Sequence, residues 1–170
     1  MVAAVTPEAS DEKRAEARQK ARASAGPNSW LAMALDHHVE IEEGFAALKA
    51  AASAGARRSA QKELATLLTG HSNAEEAVLY PAMALSDQKV HSGAAYTQQS
   101  AAKVQAAALE ELEPMTKDYL DKLEHLRAAV FHHIYEEESN WFPQLLKEVD
   151  TAGQGRLTRR YQEEFKRYMG

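Results

Sequence analysis

The chain has 170 residues and a formal net charge of -5, which fits one domain with a real core and argues against general nucleic-acid binding. It contains no cysteine, so disulfides, thiolate metal sites and thiol catalysis are excluded. No apolar run of about 18 residues occurs, so no transmembrane helix and no membrane partner are expected.

The N-terminus lacks an apolar stretch with a cleavage site, which leads us to expect no signal peptide and a cytoplasmic protein. Alanine is abundant, and glycine, proline and β-branched residues are sparse, a mixture that favours helix.

Residues 1–28 read as a charged arm, partly helical, with Ser10 able to cap a helix ahead of Asp11 and Glu12. Its polar sides leave it little to bury, so it is expected on the bundle, on a partner protein, or loose. Asn28-Ser29 then precedes a first long helix, where Leu31, Leu35, His38, Ile41, Phe45 and Leu48 recur at spacings of three and four. A second helix runs from about Ala56 through Leu64, His71, Glu75 and Leu79, and Pro81 is expected to end or kink it.

A third helix spans about Asp87 to Leu112, and Pro114 breaks it. A fourth begins after that proline, carries Leu123, Val130, His133, Glu137 and Trp141, passes Pro143 with a kink and fades near Asp150. Gly153 and Gly155 read as a joint before a last amphipathic helix with Leu157, Tyr161 and Phe165. The expected fold is all-α, an up-down-up-down four-helix bundle over residues 29–150, with a short C-terminal helix over 151–170. The basic residues of that helix (Arg156, Arg159, Arg160, Lys166, Arg167) alternate with acids and read as a solvated face.

The chemistry lies in an echo. His71-x-x-x-Glu75 is followed by Tyr80-Pro81, and His133-x-x-x-Glu137 by Phe142-Pro143; a shorter copy is His38-x-x-x-Glu42. Residues four apart on a helix point the same way from successive turns. Each copy can therefore aim one imidazole and one carboxylate at a common point, and three such helices make a site for a hard or borderline cation. The candidate metal ligands are His38, Glu42, His71, Glu75, His133 and Glu137.

Tyr80 is expected to pack under the site. His37 and His132 lie about 100° round their helices from the candidate ligands and should face elsewhere. Asp36 and Glu76 are candidates to accept the second N–H of a ligand histidine; Glu136 and Glu138 are partners of that kind or solvated.

At these residues the chain resembles the hemerythrin-like (HHE cation-binding) family. Its first-helix pattern is matched by Asp36, His38, Ile41, Phe45 and Leu48. The second is matched by His71, Glu75, Glu76, Leu79, Tyr80 and Pro81, and the fourth by His133, Glu137, Glu138, Phe142 and Pro143. The resemblance spans roughly Trp30 to Val149. It implies a bundle holding two iron ions in an oxo-bridged centre, with Glu75 and Glu137 bridging and His38, His71 and His133 as terminal ligands. Manganese or zinc suits the same donors.

The third helix departs from the family pattern, because Gln99 falls where a histidine ligand is usual, and this speaks against reversible oxygen carriage. Glu42 would make up the donor set, giving a carboxylate-rich, oxidase-type site.

The expected function is handling of oxygen, peroxide or nitric oxide, as sensor, scavenger or sink, with catalase-like or oxidase-like turnover left open. The alternatives are a metal-stabilised regulatory module that recruits a protein partner through the N-terminal arm, and a zinc-binding bundle. A monomer and a homodimer are both compatible with the sequence.

Overall fold

The computed structural model describes residues 8–170. The described residues form six helical rods and no strand. The first is α1 (Asp11–Ser24) and the second α2 (Trp30–Ala50). The third joins α3 (Ala54–Ala74), a π-helical turn (Glu75–Leu79) and α4 (Tyr80–Leu85). Then come α5 (Lys89–Glu110) and a compound rod of α6 (Lys117–Glu136), a second π-helical turn (Glu137–Trp141) and α7 (Phe142–Glu148). The last is α8 (Thr151–Met169).

Side-chain caps set most of the starts. Ser10, Ser29, Ser53, Thr116 and Asp150 each accept from the backbone N–H three residues on, satisfying a donor that the helix leaves free.

The two prolines do not end their rods. Tyr80 N–H reaches back five residues to the Glu75 carbonyl, and Phe142 N–H does the same to Glu137. That wider turn takes up the strain of a ring with no N–H, and helix resumes beyond it. The expected glycine joint is also absent: Gly153 and Gly155 lie inside α8, which Asp150 caps. Gly153 is needed because a Cβ there would collide with Val149 Cγ1 and crowd the capping Asp150 Oδ1.

Two apolar clusters fill the interior. One gathers Trp30, Leu31, Leu35, Leu79, Met83, Trp141, Phe142, Leu145 and Leu157. The other gathers Ile41, Phe45, Leu48, Leu64, Tyr119, Leu123, Leu126 and Ile134. On α2, His38 falls between Leu35 of the first and Ile41 of the second, so a polar layer divides them. Beyond the second cluster, buried Arg57 donates to the carbonyls of Leu48, Lys49, Ala51 and Pro114, which satisfies the last turn of α2.

Both terminal helices pack on the other rods. Ala17 and Ala21 of α1 are buried, and α8 lies against α2 and α3. Gly70 of α3 faces α8, where a Cβ would meet the flexible end of Met169. No described helix is long and apolar enough to cross a membrane.

Candidate metal centre

Ligand atoms of His38, His71, Glu75 and Glu137 lie within 4.8 Å of one another, and all four residues are buried. They come from α2, α3 and the starts of the two π turns, so three rods meet at one point. His71 Nε2 is 3.1 Å from Glu75 Oε1, and His38 Nε2 is 3.3 Å from Glu137 Oε2. His133 Nε2 lies 3.2 Å from the other oxygen of Glu137.

These donors suit a cation. His38 Nε2, Glu75 Oε1 and Glu137 Oε2 are buried without a hydrogen-bond partner. Such orphans each cost about 1–3 kcal/mol, more for a charged group, unless something binds them. Imidazole and carboxylate without thiolate select iron, manganese or zinc.

Each histidine is held through its other nitrogen, Nδ1, leaving Nε2 for the centre. His38 Nδ1 donates to Glu138 Oε1 at 2.8 Å, and Arg18 Nε of α1 donates to the same oxygen at 2.9 Å. His133 Nδ1 donates to Gln98 Oε1 at 2.7 Å. His71 Nδ1 lies 3.1 Å from the Tyr161 hydroxyl, which lies 3.0 Å from His37 Nδ1. With His71 Nε2 left free for a cation, its Nδ1 would donate to the phenol and the phenol to His37.

The electrostatics agree with that order. Burial, with His71 and His38 close by, pushes His37 down to about 3. Burial also opposes charge on His38, but Glu137, Glu138 and Glu75 more than reverse this and hold it well above its ordinary value. Burial raises the Glu75 carboxyl, and His71 and His38 outweigh it, holding the group well below the usual carboxylate range. Glu137 is lowered too, despite burial and the repulsion of Glu75, because His133 and His38 face it.

Five of the six candidate ligands thus gather in the polar layer, and Glu42 does not join them. Its oxygens accept from Arg14 and Arg18 of α1, at 3.1 Å and at 2.8 and 3.0 Å. It stands a full turn beyond His38, and two guanidiniums draw it outward. The candidates Asp36 and Glu76 are engaged elsewhere, with Arg22 and Lys103. His37 points away from the centre, as expected, but reaches His71 through Tyr161.

Tyr80 is the largest departure from the sequence reading. Its hydroxyl enters the centre, 2.8 Å from Glu137 Oε1, 3.1 Å from Glu75 Oε2 and 3.0 Å from His133 Nε2. In an α-helix five residues advance about 500°, which would leave Tyr80 about 140° from Glu75. The five-residue register of the π turn brings the two onto one face. Tyr161 and the Arg18–Glu138 pair were also missed, and no local pattern marks them. Their partners are 90 and 120 residues away.

The hemerythrin HHE cation-binding domain model matches residues 31–145. The chain belongs to that family. No curated protein and no solved structure matches it. The match covers every rod that brings a histidine or glutamate to the centre. It excludes α1 and α8, so Arg18 and Tyr161, which brace this HHE domain's histidines, lie outside the matched segment.

Proposed function

We propose that this chain is a hemerythrin-like non-haem di-iron protein, cytoplasmic, that binds or reacts with oxygen, peroxide or nitric oxide in oxidant or iron handling. One observation carries the reading: buried imidazole and carboxylate atoms from three rods converge within 4.8 Å, and three of them lack a hydrogen-bond partner. In this reading the rods bearing them run up-down-up-down, and Glu75 and Glu137 would hold the metal together with His38, His71 and His133. Bound iron would supply one-electron redox chemistry and a coordination position for a small molecule.

The chain's own groups supply the rest. Glu138, Gln98 and Tyr161 fix the histidine tautomers and aim Nε2 inward. Trp30, Phe142 and Trp141 pack on one side of the layer and exclude water. On the other side a cavity of about 230 Å³ opens between α3, α5 and α6. Ile41, Leu68, Ala102, Ala106 and Val130 line it, and it reaches His71, Gln99 and His133. Such a lining favours a small, weakly polar visitor.

The test is elemental analysis of protein from iron-replete cells, with a visible spectrum after aerobic iron loading. We expect bound iron and oxo-bridged di-iron bands; protein with neither contradicts the proposal.

A regulatory module is the second reading, and the ion pair from α1 to Glu138 favours it, because it ties an N-terminal segment to a ligand histidine. Detachment of α1 on metal removal, followed by protease sensitivity near Ala25, would support it.

A further inference from the structure

The centre has two unequal poles. Glu75 Oε1 and Glu137 Oε2 face His38 and His71 at 3.1–3.7 Å, and His38 Nε2 and both oxygens make no hydrogen bond. A cation entering there displaces imidazole protons but breaks no hydrogen bond. Glu75 Oε2 and Glu137 Oε1 face the opposite way, toward His133, and there the Tyr80 hydroxyl stands between them. Gln99 Nε2 donates to the same phenol oxygen at 2.6 Å and to Glu75 Oε2, while its buried Oε1 has no partner.

The hydrogens at the second pole are all engaged: Gln99 Nε2 gives one to Glu75 Oε2 and one to the Tyr80 oxygen, and the Tyr80 hydroxyl gives its single one to Glu137 Oε1. A cation lying among these atoms would take the place of those hydrogens at both carboxylate oxygens, with the phenol oxygen and His133 Nε2 beside them. A half-turn of the Gln99 amide would exchange its donor nitrogen for the unpartnered oxygen, which is what a cation requires. The second pole therefore has a ligand-like set of atoms, but it is closed by hydrogen bonds that must first break.

We propose that the centre loads in order: one cation enters first among His38, His71, Glu75 and Glu137, and a second binds more weakly opposite, with the Tyr80 oxygen as its ligand beside His133. This rests on the metal-centre reading above.

The experiment is anaerobic calorimetric titration of the metal-free full chain with ferrous iron, followed by air oxidation and a visible spectrum at each equivalent. Wild type should show two separate steps. A phenolate-to-ferric charge-transfer band should appear only beyond one equivalent. Tyr80→Phe should keep the first step, which also shows that it has folded. It should weaken the second at least tenfold and lose the band. Gln99→Glu, which replaces the donor holding the phenol by an acceptor and keeps the oxygen, should strengthen the second step.

Two equal steps in wild type and Tyr80→Phe alike, with no phenolate band, overturn the proposal. So does a single equivalent in both proteins. Wild type that takes up no iron at all removes the metal reading itself, and the ordered loading with it.

Discussion

The segments His71–Pro81 and His133–Pro143 share a motif and a backbone device, yet they play different parts. Each puts a glutamate at the first position of a π turn, fully buried, and each absorbs a proline at the turn's far end. The side chains then diverge. Phe142, five residues after Glu137, packs edge-on against Trp30 at 5.4 Å and roughly parallel to His38 at 6.2 Å. Tyr80, at the same place after Glu75, puts a hydroxyl among the ligands.

The second glutamates differ as well: Glu138 is 1 % exposed and holds His38, whereas Glu76 is partly exposed and pairs with Lys103 at 2.6 Å. The lesson is that the backbone sets where a side chain can reach, and one hydroxyl or one buried carboxylate decides what stands there.

What the two segments share predicts the largest effect. Both deliver a buried carboxylate that needs a cation, so chelation should destabilise the protein. At a free metal level of 100 times the dissociation constant, binding contributes about 2.7 kcal/mol. For a chain of this length that corresponds to a fall of about 5–10 °C in Tm, read by calorimetry with and without chelator. Glu137→Ala and Glu75→Ala should both abolish the difference, and a variant that keeps it would break the likeness between the segments.

The glutamate contrast gives the next effect. Glu138→Gln should weaken metal binding about 10–100-fold, the usual result of removing a carboxylate that orients a ligand histidine. Glu76→Gln should change it less than about threefold, because exposed pairs contribute little. Competition with a chromophoric chelator measures both, and equal losses would erase the distinction.

A smaller effect concerns the braces outside the matched segment. Tyr161→Phe removes the hydroxyl between His71 and His37 and should cost about 1–3 kcal/mol of stability in urea titration, since it leaves buried imidazole nitrogens unpaired.

The smallest is pH-dependent. Burial raises the Glu42 carboxyl, but Arg18 and Arg14 reverse this and hold it below its ordinary value of 4.5. Folding therefore favours its charged form. Its contribution, about 0.5–1 kcal/mol, is complete well above pH 4.5 and is lost as pH falls through the lower folded value. The stability gap between wild type and Glu42→Gln should close on acidification. A gap that widens would place Glu42 elsewhere.

Much of this was legible in the sequence. Ser29 announced α2, the stripe from Leu31 to Leu48 gave its buried face, and the echoed His-x-x-x-Glu pairs located the polar layer, because all of these depend on neighbours a turn apart. Two kinds of feature were not legible. The π turns alter the helical period over five residues, so a constant 100° per residue does not bring Tyr80 onto the face of Glu75, and Pro81 looked like an end or a kink. Long-range partners have no local mark. Glu42 shares a helix with His38 at ligand spacing, but guanidiniums 24 and 28 residues upstream determine where it points.

The central claim is that imidazoles and carboxylates from three rods hold metal in the interior. Anomalous diffraction at the iron edge, from crystals of the iron-loaded protein, tests it most directly. We predict a peak within bonding distance of His38 Nε2, His71 Nε2, Glu75 and Glu137. Crystals whose only anomalous signal lies at the surface, with that interior position empty, would contradict the account.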